Sequence, residues 1–207
     1  MLILAGLGNP GVKYAGNRHN LGCMAVDAIA DRFRFQAERA RFLGLTRQGT
    51  IDTPAGPANV LVLKPQTFMN ESGRSIAQAM KFFKVSPGDV VVFHDELDLA
   101  PGRLRMKTGG GAAGHNGLRS TAQWIGPDFR RARLGIGHPG DKDRVLGYVL
   151  DNFDYGERPW VKDLCGACAE AAPLLVAGED ARYQAEVLRL APAEKADPRQ
   201  PAGGGAS

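Results

Sequence analysis

The chain has 207 residues, 43% hydrophobic and 23% charged, with a net charge of +4 and three cysteines. A chain of this size can bury about 70% of its unfolded surface, so one globular core suffices. No apolar run reaches the length of about 18 residues that a membrane span needs, and no basic leader precedes Met-Leu-Ile-Leu-Ala-Gly; a cytoplasmic protein with reduced thiols is expected.

Leu2–Ala5 reads as a short apolar strand. The segment from Gly6 to Asn20 is rich in Gly, Asn and Pro and has little to bury, which leaves Asn9, Tyr14, His19 and Asn20 available to a ligand. Apolar residues at helical spacing predict a helix over Leu21–Phe35 with Asn20 as its N-cap. Phe42–Thr50 and Asn59–Leu63 read as strands around a Thr-Pro-Ala-Gly-Pro turn; Lys64–Asn70 is a second irregular loop, feeding a helix over Ser72–Lys84. Asp89–His94 is a buried-type strand ending in Asp95 and Glu96. Arg103–Lys107 is another, followed by a glycine-rich loop and a helix near Asn116–Ile125. Arg130–Ile136 closes the strand set, and helices are expected over Asp163–Val176, interrupted near Pro173, and over Asp180–Leu190. Residues 1–191 then form the domain, and the Pro-, Ala- and Gly-rich segment 192–207 is expected to be a disordered tail. Alternating strands and helices predict an α/β fold, a mixed and mostly parallel twisted sheet with helices on both faces. Ligands of such sheets gather beyond the carboxyl ends of the strands, where His19, Asn70, Asp95 and Asn116 would converge.

Gly6-Leu-Gly-Asn-Pro-Gly11 has the G-x-G-x-x-G spacing of dinucleotide sites, but the helix starts some nine residues too late to meet a pyrophosphate. An oxidoreductase reading is therefore set aside. The run Gly109–Gly117 lacks the Lys-Ser/Thr ending of a phosphate-binding loop and reads as a hinge or lid. A lone histidine is more often a satisfied loop residue, yet Asp95 could fix which ring nitrogen of His19 faces a substrate, making His19 the leading acid–base candidate. His94 is expected on the strand face opposite Asp95, His115 is a weaker candidate, and His138 before Pro139 braces a turn. Asn9, Asn70 and Asn116 can donate and accept at once, which suits an amide-bearing substrate or a developing oxyanion. No Ser or Cys stands in a nucleophile context, so water is the natural nucleophile. Four scattered histidines make a poor ligand set and no metal is expected. Cys23, Cys165 and Cys168 read as packing residues. Clusters at Arg103, Arg105, Lys107 and at Arg130, Arg131, Arg133 fit either a polyanionic partner or a solvated surface.

Together, Gly6–Gly11, Tyr14, Arg18-His-Asn20, Lys64-Pro, Thr67-Phe-Met-Asn70, His94-Asp-Glu-Leu-Asp98, Gly114-His-Asn-Gly117, Arg133 and Gly135–Asp141 resemble the bacterial peptidyl-tRNA hydrolases, over residues 1 to about 190. The resemblance implies hydrolysis of the ester between a peptide and the 3′ ribose of tRNA, by a monomer, with no cofactor and no membrane. It makes His19 the general base, Asp95 its partner, and Asn9 the residue that tells a blocked α-amine from a free one. It places Tyr14, Phe68, Asn70 and Asn116 against the substrate and Arg105, Lys107 and Arg133 against tRNA phosphates. Two departures stand out: Ala112 and Ala113 replace a His-Gly pair common in the glycine-rich segment, and Arg105 stands where lysine is common. A non-catalytic RNA or protein adaptor on the same fold is the competing reading; an eroded catalytic set would favour it, and here the set is intact.

Overall fold

The computed structural model describes residues 1–192; the expected tail lies, except for Pro192, outside the described residues. Seven strands form one sheet in the order β2-β3-β4-β1-β5-β7-β6. They are β1 (Leu2–Gly6), β2 (Arg39–Arg41), β3 (Gly44–Thr53), β4 (Gly56–Pro65), β5 (Val90–Glu96), β6 (Leu104–Thr108) and β7 (Arg130–Gly135). The β4-β1-β5-β7 centre is parallel, and the pairs β2–β3, β3–β4 and β6–β7 are antiparallel. Only β3 and β6 therefore run against the rest, so the sheet is mixed and mostly parallel, as expected.

The central strands are apolar on both faces because both are covered, and period-two alternation divides their residues between two cores. Leu4, Val60, Val62, Val91 and Phe93 pack beneath α1 (Leu21–Arg32), α5 (Arg158–Glu170), α6 (Ala172–Val176) and α7 (Asp180–Leu190). Ile3, Ala5, Leu61, Leu63, Val90 and Val92 pack on the other face with α2 (Ser72–Phe83) and α3 (Asn116–Ile125). A one-residue slip of β1 or β5 would exchange these sets, which fixes the register.

Several boundaries differ from the sequence reading for identifiable reasons. Helix α1 stops at Arg32 instead of Phe35, since Arg34 turns left-handed at φ 51°. Lys64 and Pro65, expected in a loop, continue β4 in register with Leu45 and Gly44. The interruption expected near Pro173 is present, two residues earlier: α5 ends at Glu170 and α6 opens at Ala172 with the proline in its first turn, where a missing N–H costs nothing. The exposed edge strand β2 and the short α4 (Val145–Leu150) carry too little pattern to be anticipated. Among the described residues no helix is long and apolar enough to cross a membrane.

Candidate active site

The connection after β1 departs toward β3 and β4 while β5 begins the other half of the sheet, so the carboxyl ends of β1 and β5 flank a crevice. His19 comes from the first side and Asp95 from the second. They meet because the first turn of α1 presses onto the sheet: a Cβ on Gly22 would lie 2.1 Å from the Phe93 carbonyl oxygen, so only glycine fits. Gly6 and Gly8 likewise serve close packing of strand against helix, and Gly11 takes a positive φ of 103° in the open loop, so no phosphate site is needed to explain them.

His19 Nδ1 lies 2.9 and 3.0 Å from the two carboxylate oxygens of Asp95, and His115 Nε2 lies 3.0 Å from Oδ1. The protons can be assigned from the partners. His115 Nδ1 accepts the backbone N–H groups of Gly117 and Leu118 as the N-cap of α3, so its proton sits on Nε2 and is donated to Asp95. His19 donates Nδ1–H to the same carboxylate, which leaves the lone pair on its Nε2. Burial alone would raise the Asp95 carboxyl, but His19 and His115 beside it outweigh that and hold it well below the ordinary carboxylate range.

These groups line a 290 Å³ cavity together with His94, Asn116 and the apolar Leu97 and Val149. Strand alternation does assign His94 to the α2–α3 face, yet the cavity wraps the end of β5 and His94 faces it all the same, its ring centre 5.1 Å from that of His115. The expectation that His94 points away from the site is corrected accordingly. Its Nδ1–H donates to the Asp95 carbonyl, and burial, then His115, push its pKa down to about 3, so it stays neutral.

Asn9 is held from three directions. Its N–H donates to Asn20 Oδ1, its carbonyl accepts from Asn20 Nδ2, and its own Oδ1 accepts the Met69 N–H, each at 2.9 Å. The Asn9 amide is thereby oriented with Nδ2 as the remaining donor. Asn20 precedes α1 as predicted but does not cap it; its side chain is spent on Asn9. Asn9 itself borders a smaller 170 Å³ pocket with Asn20, Cys23 and Lys64, not the cavity of His19.

Of the other sequence candidates, Asn116 lines the cavity, whereas Asn70, exposed beside Met69, Tyr14, half-buried under the Lys13 ammonium, and Phe68, 61% exposed, do not. Arg105, Lys107 and Arg133 lie apart, on the β6–β7 ladder. There Arg105 stands opposite Arg133 and Lys107 opposite Arg131, and Arg133 Nε bonds Glu96 at 2.9 Å. Sequence reasoning undervalued His115, Asn20 and Arg18. Buried Arg18 donates to the carbonyls of Tyr148 and Asn152 and to Glu157, tying the α4 wall of the cavity to the His19 turn. All three sit inside the quoted motifs, which was the available signal.

His19, Asp95 and His115 could approach a metal together, but coordination by His115 Nε2 would require its proton to move to Nδ1 and break two backbone bonds. The donor set is built for hydrogen bonds. Burial pushes the Cys23 and Cys168 thiols up to about 12 and Cys165 higher still, so none supplies a thiolate. A larger 410 Å³ pocket beside α1 and α5, with Met24, Phe153, Val161 and Cys165 in its lining, holds no acid–base pair.

The family model described as peptidyl-tRNA hydrolase matches residues 3–195. A Phenylobacterium zucineum protein named peptidyl-tRNA hydrolase is 66% identical over 99% of this chain and 98% of its own length. One of the same name from Caulobacter vibrioides is 59% identical over 98% of each. The crystal structure of peptidyl-tRNA hydrolase from Acinetobacter baumannii superposes with a TM-score of 0.85 at 39% identity, covering 93% of this chain and 97% of that one.

Proposed function

Because the chain belongs to the peptidyl-tRNA hydrolase family and hydrolyses peptidyl-tRNA, we propose that it cleaves the peptide–ribose ester in the cavity built around Asp95. The observation that carries this reading is the His19–Asp95 contact, which leaves Nε2 of His19 as a lone-pair base. In the proposed reaction His19 Nε2 takes a proton from water as the water oxygen attacks the ester carbonyl. The tetrahedral oxyanion is met by amide donors, for which Asn116 and Asn70 are the candidates. The ester C–O bond then breaks and the proton passes from His19 Nε2 to the 3′ oxygen, restoring the base. Asp95 stays ionised throughout and stabilises the transient imidazolium.

Asn9 supplies the discrimination. With Oδ1 occupied by Met69, it presents only donor hydrogens, which an amide or N-acyl carbonyl can accept and an α-ammonium group cannot. Tyr14 and Phe68 flank the peptide. Arg105, Lys107 and Arg133 contact tRNA phosphates, which give affinity without reading base identity. The base and the donors come from this chain and the nucleophile is solvent water, so no cofactor is assigned, and residues 1–191 act as one catalytic domain, as a monomer in the cytoplasm. Single-turnover assays of N-acetyl-aminoacyl-tRNA beside the same tRNA with a free α-amine test this. Fast cleavage of the blocked substrate alone is expected; equal cleavage of both would remove the role of Asn9, and inertness toward both would remove the catalytic reading.

A further inference from the structure

The reaction as described leaves one buried cation unused. Arg131 on β7 is 3% exposed, and among the described residues no carboxylate lies within ion-pair distance of it. Its Nη1 donates to the Gly111 carbonyl and its Nη2 to the Gly110 carbonyl, both at 2.6 Å, its guanidinium lies 4.6 Å from the Phe129 ring centre, and Nε has no partner. Across the ladder it faces Lys107, and Arg133 lies two residues on along the same face. A buried charge with cationic neighbours and no acid is an expensive arrangement, and only the two loop carbonyls offset it.

Those carbonyls belong to the roof of the catalytic cavity. The run Gly109–Gly114 descends from β6, contributes Ala112, Ala113 and Gly114 to the cavity lining, and delivers His115 to Asp95. Both carbonyls reach one guanidinium where the loop folds back over β7, and Gly110 stands there at φ +96°, a conformation that only glycine adopts without strain. We propose that Arg131 is a positioning residue for hydrolysis: it ties the glycine-rich roof to the sheet and so holds His115 against Asp95, while making no contact with tRNA itself. This rests on the reading of the Asp95 cavity as the catalytic site.

The test measures amide hydrogen exchange across residues 109–118, kcat and KM for N-acetyl-aminoacyl-tRNA, and the dependence of KM on salt, in Arg131→Met, Arg131→Lys and Gly110→Ala. Gly110→Ala attacks the same tie from the loop side and remains informative if Arg131→Met fails to fold; its methyl would lie 2.8 Å from Lys107 Nζ, so the salt dependence is read from the Arg131 variants alone. Roof amides should exchange about tenfold faster in Arg131→Met and in Gly110→Ala, the factor expected for a lost charged hydrogen bond, with β5 amides unchanged. The same two variants should lose about tenfold in kcat, Arg131→Lys should be intermediate, and the slope of log KM against log salt should match wild type. A slope reduced by about one would make Arg131 a phosphate contact and overturn the proposal. So would wild-type exchange and kcat in a variant whose only change is a lower Tm. Failure of the catalytic reading would show separately, as an active His19→Ala enzyme, whereas the exchange result does not depend on activity.

Discussion

At the ends of β1 and β5 the polar groups around Asp95 answer one another: two imidazoles donate to one carboxylate, and Asn20 and Met69 fix Asn9. Some 20 residues of sequence separate Asp95 from His115, yet the tautomer of each ring follows from its partners. At the β6–β7 edge the opposite holds. Arg105 faces Arg133 and Lys107 faces Arg131 across the ladder, with Glu96 the carboxylate bonded to Arg133. Like charges directly opposite destabilise a sheet, so this edge is poorly satisfied in the isolated protein. On the proposed reading, the satisfied region is where a proton is placed, and the charges of Arg105, Lys107 and Arg133 are where tRNA phosphates would complete the interaction. The two regions touch through Glu96, which lines the cavity and binds Arg133, and through the roof that Arg131 holds.

Perturbing the satisfied region should cost catalysis. Asp95→Asn keeps the shape but loses the charge, and puts an NH₂ donor against the His19 Nδ1–H where Oδ2 accepted; kcat should fall on the order of 10³-fold, measured in single turnover. If activity survives, proton placement is not what this region provides. Gly22→Ala should be next in effect. The added methyl would sit 2.1 Å from the Phe93 carbonyl oxygen, so unfolding should be easier by about 2–3 kcal/mol in urea titrations, with kcat falling as His19 is pushed from Asp95.

Perturbing the other region should cost binding and spare the fold. The double variant Arg105→Ala, Lys107→Ala should raise KM about tenfold at physiological salt and lower the salt slope by up to about two, while kcat is kept and Tm is equal to or above wild type. A lower Tm would mean that these cations support the fold. A last effect, absent at neutral pH, concerns His94, whose folded pKa of about 3 lies below its ordinary 6.5. Between those values the unfolded chain binds the extra proton, so stability falls as pH falls from 6.5 toward 3 and is fully restored above 6.5. Asp95, also depressed, acts in the same direction, losing its contribution below the ordinary carboxylate range. His94→Gln should flatten the pH dependence of unfolding by on the order of 1 kcal/mol per pH unit in that window, leaving only the carboxylate part at more acid pH.

The same contrast explains what could be read in the sequence. The strands Leu2–Gly6 and Val90–Glu96 and the helix Asn116–Ile125 were legible because their apolar periodicity is strong and local, and the positions of His19, Asp95 and Asn116 after strands followed from them. Asn20 was legible as a helix cap and a possible ligand contact; nothing local shows that its amide is taken by Asn9 eleven residues earlier. His94 keeps its strand parity and still faces the site, because a cavity at a strand end is reached from both faces. Arg131 looked like any member of a basic cluster; its burial depends on how a distant glycine loop folds back over β7. Local pattern fixes elements, and contacts across the end of a sheet remain hidden until the elements are assembled.

The most direct measurement is single-turnover hydrolysis of N-acetyl-aminoacyl-tRNA by His19→Ala, with tRNA affinity measured on the same preparation. The rate should fall between about 10²- and 10⁴-fold while affinity and unfolding midpoint remain close to wild type. Hydrolysis within a few fold of wild type would contradict His19 as the base and, with it, the proposed role of the carboxylate that orients it.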